Sequence, residues 1–163
     1  MSVEPQVFRE AMSRLGAAVN VITLVAEAGP TGFTASAVCS VTDQPPTLLI
    51  CINRSSRSRG EIKIGAGICV NTLASHQQVL SAAFAGPLEM QERFTHGSWI
   101  KLVTGAPVLE EAVASFDCYV SNIVEVGTHS VLFCQVAAVH MGDPREGLAY
   151  FARAYHVLPH PAL

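Results

Sequence analysis

Residues 32–56, GFTASAVCSVTDQPPTLLICINRSS, restrict the fold more than any other stretch of the chain. Pro45-Pro46 separates two apolar segments, and proline removes a backbone donor and fixes φ, so no helix can cross it. The pattern predicts two strands joined at the proline turn, the second over residues 47–52. Upstream, Gly32 and the small or hydroxyl residues Thr34, Ala35, Ser36 and Ala37 leave room beside the backbone. Downstream, the chain leaves through Asn53, Arg54, Ser55 and Ser56. A small-residue surface beside a polar, basic exit suits a planar ring that carries a phosphate tail.

The flanking segments read as strands and short helices. Residues 5–17 place Phe8, Met12 and Leu15 at helical spacing, an amphipathic helix that packs on something. A strand over 19–25 ends at Ala28-Gly29-Pro30 and predicts a hairpin into the opening stretch. Residues 58–64 read as a short helix, then Gly65-Ala66-Gly67 breaks the chain before a strand over 68–73. Ser75 is placed to cap a helix whose apolar face holds Val79, Leu80, Ala83 and Phe84. The polar segment 86–97 is a loop or short helix able to cover a site. Residues 99–109, broken by Gly105 and Pro107, hold a short strand. Long strands over 114–126 and 130–141 meet at Gly127-Thr128-His129, and after Gly142-Asp143-Pro144 residues 148–155 give a last strand. Without regular helical crossovers, this order predicts a mainly β fold, an antiparallel barrel with helical additions, and argues against a doubly wound parallel sheet. One domain spanning residues 1–163 is expected, since no repeat or long linker divides the chain.

Composition narrows the partners. With 50% hydrophobic and 14% charged residues, the chain carries more apolar surface than a small monomer easily hides, which predicts a homodimer with a hydrophobic interface. A net charge of -3 without a long basic run argues against nucleic acid. The apolar runs fall short of the roughly 20 residues a membrane helix needs, and no signal-peptide pattern opens the chain. The five cysteines are odd in number and form no C-x-x-C, so they read as reduced, mostly core residues, in keeping with a cytoplasmic protein.

Several motifs are excluded. Gly65 and Gly67 lead into a strand where a dinucleotide fingerprint needs a helix N-terminus, and no Walker or G-x-S-x-G sequence occurs. The six histidines show no zinc spacing. His129 stands apart in a tight turn between two long strands, either as an exposed turn residue or as a hydrogen-bonding group at a barrel rim. Arg54, Arg57, Arg59 and Lys63 cluster with Ser55, Ser56 and Ser58, either a solvated face or a phosphate site. Asp117 and Glu125 lack an obvious carboxylate partner, so acid/base hydrolysis has little support.

The phrases GFTASAVCSVTDQPPTLLICINR, CVNTL, SFDC, VGTHSVLFC and the late AYH, in that order, resemble the short-chain flavin reductases, the small components of two-component flavin monooxygenase systems. The resemblance spans nearly the whole chain and is nearest to the branch of FMN reductases in pyrimidine utilisation. It implies an FMN-binding split β-barrel and an NAD(P)H:FMN oxidoreductase, NADH ahead of NADPH, with FAD or riboflavin as alternative flavins. It also implies supply of reduced FMN to a flavin-dependent monooxygenase, in the nearest branch one that opens the pyrimidine ring. By resemblance, Thr34, Ala35, Ser36, Ala37, Val38 and Ser40 line the isoalloxazine, while Asn53, Ser55, Ser56 and Arg59 hold the ribityl chain and phosphate. Phe84, Ala85, Arg93 and Phe94 match the segment that closes over the flavin. His129 matches a histidine implicated in NADH binding, with Thr128 where the wider family often has Asp. Tyr155 corresponds to an aromatic that approaches the nicotinamide or a partner subunit. A split-barrel oxidase that retains FMN, or a non-catalytic flavin-binding or electron-carrier module, are the alternatives.

Overall fold

The computed structural model describes residues 2–162. Helix α1 (Pro5–Ser13) leads into β1 (Ala17–Ala18), β2 (Asn20–Ala26), β3 (Gly29–Ala35), β4 (Val38–Asp43) and β5 (Pro46–Asn53). A 3-10 turn (Arg57–Glu61) precedes β6 (Gly67–Thr72), and a second (Ser75–Gln77) precedes α2 (Gln78–Ala85) and α3 (Met90–Phe94). Then come β7 (Trp99–Lys101), β8 (Pro107–Leu109), β9 (Ala114–Val126), β10 (His129–Met141), β11 (Gly147–Phe151) and β12 (Ala154–Leu158).

Seven strands pair antiparallel in the order β3-β2-β6-β9-β10-β5-β4. The two edge strands, β3 and β4, are consecutive in sequence and joined only by Ser36 and Ala37. A sheet whose edges are tied by so short a link must curl until they meet. The Cys51 amide donates to the Ala37 carbonyl (2.9 Å) across that meeting point. The result is a barrel-like antiparallel sheet with a seam beside β3 and β5, in agreement with the predicted fold class. Smaller sheets, β1-β11-β12 and β7-β8, flank it.

The inward faces follow the strand period of two. Ile22 and Leu24 of β2, Ile50 and Ile52 of β5, Ile68 and Val70 of β6, and Leu132 of β10 fill the barrel. A second core gathers Val19, Val21, Leu73, Leu80, Phe84 and Leu148 under α2. Cys69, Cys118 and Cys134 are buried free thiols, and burial holds Cys134 up to about 12.

Among the fully buried polar side chains, Asn71 makes a network across several strands. Its amide nitrogen donates to the Val21 carbonyl (3.0 Å) and Thr23 Oγ1 (3.1 Å), and its oxygen accepts from the Leu109 amide (2.8 Å) and Ser115 hydroxyl (2.9 Å). One side chain thus joins β2, β6, β8 and β9. Asn71→Ala leaves several buried groups without partners and should lower the unfolding free energy by about 3 kcal/mol, read as a fall in urea midpoint at unchanged m-value.

The structure departs from the sequence expectations in three places. Helix α1 forms but ends at Ser13 and buries no residue: Phe8 and Met12 on it, and Leu15 beyond it, remain exposed, so its apolar face has no partner among the described residues. Ser75 does not cap α2. Its hydroxyl donates to Glu146 Oε2 (3.2 Å), while Gln77 Oε1 accepts from the Ala74 amide (2.9 Å) at the start of the 3-10 turn. Residues 148–155, expected as one strand, instead form the β11-β12 hairpin. Its turn residues Ala152 and Arg153 both have positive φ, 50° and 61°. Such turns are ordinarily marked by Asn, Asp or Gly, and Ala-Arg carries no such mark.

Candidate active site

A cavity of about 550 Å³ opens at the seam. Its floor is the end of β3 and the link beyond, and its far wall is the end of β5. Gly32 shapes the floor, because a Cβ there would lie 2.5 Å from the Ile22 carbonyl oxygen and 3.0 Å from the Phe84 ring. Thr34 donates its hydroxyl to the Ser81 carbonyl (2.7 Å), which ties the floor to α2. The Val38 amide is satisfied by the Ser36 carbonyl (3.0 Å), whereas the amides of Ser36 and Ala37 have no backbone acceptor among the described residues. Those two donors sit at the mouth of the seam, free for an acceptor on a bound molecule.

Past β5 the chain enters a tight, serine-rich turn. Asn53 Oδ1 accepts from the Ser55 amide (2.9 Å) and the Ser55 hydroxyl (2.8 Å), an Asx-type turn that starts the 3-10 segment. The following basic residues take different roles. Arg59 is committed elsewhere: it donates to Ser130 Oγ (2.6 Å), the Ile62 carbonyl (3.0 Å) and Glu125 Oε1 (2.6 Å), away from the cavity. Arg54 reaches toward Glu125 (3.4 Å). Arg57 lines the cavity with Ser56 and Ser58, and its guanidinium has no hydrogen-bond or ion-pair partner among the described residues. The resemblance placed the phosphate contact at Arg59; the free cation on the wall is Arg57. In a 3-10 turn with three residues per turn, side chains two apart point to different sides, so the two arginines cannot share one role.

The opposite wall is built from Phe84, Ala85, Gly86, Pro87 and Met90, and one residue braces it. Arg93 is 8% exposed and donates to the carbonyls of Leu88 (2.8 Å), Phe84 (3.1 Å) and Gly86 (2.9 Å). These include carbonyls at the C-terminal end of α2, where a cation is favoured. Phe94 stands behind the wall, with its ring edge-on to Phe84 (centroids 5.0 Å apart) and to Trp99 (4.9 Å).

At the rim, His129 begins β10 opposite Asn53 of β5. The Thr128 hydroxyl lies 2.9 Å from His129 Nδ1, so a hydroxyl orients the ring where the resemblance would have a carboxylate. Nε2 has no hydrogen-bond partner among the described residues. The hairpin that carries His129 is anchored by Glu125, whose carboxyl is held below the usual carboxylate range by the Arg59 guanidinium and the Ser130 hydroxyl. A depressed folded-state value stabilises the fold above the unfolded pKa and loses that contribution as pH falls through the folded value. The thermal-midpoint advantage of the wild type over Glu125→Gln should therefore be full at neutral pH and shrink below about pH 4.

Of the residues expected at the site, Thr34, Ala35, Ser36, Ala37, Asn53, Ser56, Phe84, Ala85, Arg93 and His129 line this cavity. Six lie off it. Val38 packs on the barrel core, Ser40 is exposed on β4, Ser55 is spent on Asn53, and Arg59 and Phe94 are placed as described. Tyr155 borders a smaller cavity of about 240 Å³ on the other side of residues 34–36, with its hydroxyl 2.8 Å from Ser81 Oγ. Sequence reasoning held Arg57 and Ser58 only as members of the basic, serine-rich cluster, without assigning either a contact, and left Met90 out of the site. Only the 3-10 turn decides which arginine faces inward, and periodicity does not reveal that.

The sequence profile of the flavin reductase like domain matches residues 12–159. An FMN reductase (NADH) RutF from Yersinia enterocolitica is 54% identical over 158 residues, covering 97% of this chain and 87% of that protein. A Haemophilus somnus protein assigned as a flavin reductase superposes with a TM-score of 0.93 at 45% identity, covering 96% of this chain and 100% of the other. Nitrilotriacetate monooxygenase component B from Mycobacterium thermoresistibile superposes with a TM-score of 0.87 at 28% identity, covering 94% and 86%.

Proposed function

This chain belongs to the flavin reductase like domain family, and from that premise we propose that it is an NADH-dependent FMN reductase acting at the β3-β5 seam. The observation that carries the assignment of the site is the combination on one cavity of a glycine-shaped, small-residue floor and an unpaired arginine among serines. A planar ring needs the first, and a single phosphate needs the second.

FMN bound at the seam supplies the redox chemistry, accepting hydride from the nicotinamide. The protein's own work is alignment and electrostatics. The free amides of Ser36 and Ala37 would donate to a flavin held at the seam and stabilise negative charge developing on it. Arg57, Ser56 and Ser58 hold the phosphate and so fix the ring's position along the seam. The Phe84–Pro87 wall excludes water from one side. His129, oriented by Thr128, stands at the mouth and steers the incoming nicotinamide through Nε2. Val38, Ser55, Arg59, Phe94 and Tyr155 support these groups from behind, while Ser40 faces outward on β4.

Reduced FMN then passes to a separate flavin-dependent monooxygenase, one that opens the pyrimidine ring. The name of the Mycobacterium relative, component B of a monooxygenase, favours such a division of labour. The chain acts as a homodimer in the cytoplasm, and the exposed Phe8 and Met12 of α1, with Leu15 just beyond it, are the surface that most needs a second copy.

Steady-state NADH oxidation, measured before and after exhaustive dialysis, tests the proposal. Turnover should depend on added FMN and saturate with it. Oxidation no faster than in the protein-free mixture would favour the electron-carrier reading, and full turnover without added FMN would favour an oxidase that keeps its flavin.

A further inference from the structure

Three successive carbonyls where β3 passes into β4 are held in place. Ala35 O accepts from Asn20 Nδ2 (3.3 Å), Ser36 O from the Val38 amide (3.0 Å) and Ala37 O from the Cys51 amide (2.9 Å). In a planar trans peptide the C=O and N–H point in opposite directions, so anchoring a carbonyl sets the direction of the next residue's amide. The Ala35 carbonyl is turned toward β2, where Asn20 lies opposite it in register. The Ser36 amide therefore points away from β2, and because β3 is an edge strand that direction is the seam. Asn20 itself is 3% exposed and does not line the cavity. Its side chain is fully engaged: Nδ2 also donates to the Ala18 carbonyl (3.2 Å), and Oδ1 accepts from the Thr72 hydroxyl (2.9 Å). Two carbonyl acceptors require the nitrogen on their side, which fixes the rotation of the amide. Of the three holds on the link, this is the one made by a side chain.

We infer that Asn20, locked by Thr72 and donating to the Ala35 carbonyl, is a positioning residue that aims the Ser36 amide into the seam, where that amide favours reduced over oxidised FMN. The inference rests on the reading of the seam as the flavin site. Oxidised and reduced FMN present the same ring outline to the floor, so packing against the floor serves both alike. A hydrogen-bond donor is worth more to the state that carries negative charge, which is the reduced ring. Loss of aim at Ser36 therefore separates the two affinities, whereas a general loosening of the floor lowers them together.

Titration of the wild type and Asn20→Ala with oxidised FMN, and anaerobically with chemically reduced FMN, measures this without turnover. The ratio of the reduced-FMN Kd to the oxidised-FMN Kd should rise by roughly fivefold in the variant, equivalent to a bound-flavin potential about 20 mV lower for a two-electron couple. Thr72→Val keeps Asn20 but removes the hydroxyl that locks it, and should move the ratio in the same direction by less. This milder variant carries the test if Asn20→Ala does not fold. A ratio unchanged in both variants, whether the two affinities fall together or stay put, would overturn the inference, and so would a lower ratio. Titration of Arg57→Ala with FMN and riboflavin separates the two levels of failure. A selective loss of FMN there, with unmoved ratios in the Asn20 and Thr72 variants, sinks the aiming of Ser36 alone. Equal affinities for both flavins there, with the same unmoved ratios, sink the seam reading and the aiming together.

Discussion

Arg93→Met should lower the unfolding free energy by about 3 kcal/mol and weaken FMN binding by roughly tenfold or more. The substitution keeps an unbranched side chain of similar length but removes every donor. Three carbonyls, those of Phe84, Gly86 and Leu88, lose the Arg93 donors they accept from. The damage falls on the cavity wall itself, because Phe84, Gly86 and Arg93 all line the cavity. Chemical denaturation and flavin fluorescence titration read the two losses separately. Stability loss without any change in FMN affinity would mean that the wall does not touch the flavin.

Arg57→Ala should weaken FMN by about 1.5 kcal/mol, roughly tenfold, and change riboflavin affinity little. The estimate sits at the low end for a charged hydrogen bond because Arg57 is exposed and its field is screened. Arg59→Ala makes the instructive comparison. Arg59 holds the β9-β10 hairpin through Glu125 and Ser130, so its loss should reduce stability and weaken FMN and riboflavin alike. The pair of variants distinguishes a phosphate ligand from a structural cation two residues away.

Much of the fold was legible because strand periodicity and turn residues agree. Pro45-Pro46, Ala28-Gly29-Pro30 and Gly127-Thr128 each mark a turn that the structure places between paired strands. The curl of the sheet was implicit in the link of two residues between β3 and β4, but only the strand order makes that link a closure. The β11-β12 turn was not legible, since tertiary contacts hold it. The Ala152 amide donates to the Ser13 carbonyl (2.6 Å), and Arg153 pairs with Glu10 (2.7 Å). At the site, the small-residue floor and His129 could be named from the sequence. The role of Arg93 could not, because three carbonyl acceptors on a neighbouring segment leave no trace in side-chain pattern. Nor could the choice of Arg57 over Arg59, which turns on the geometry of five residues in a 3-10 segment.

The central proposal is that NADH reduces FMN held at Arg57 and the β3-β5 floor. Anaerobic rapid mixing of the FMN-loaded protein with NADH tests it most directly. The oxidised-flavin absorbance should bleach in a single fast phase whose rate saturates with NADH, and at limiting FMN Arg57→Ala should lower the amplitude of that phase. Bleaching no faster than free FMN with NADH, or an amplitude indifferent to Arg57, would contradict the account.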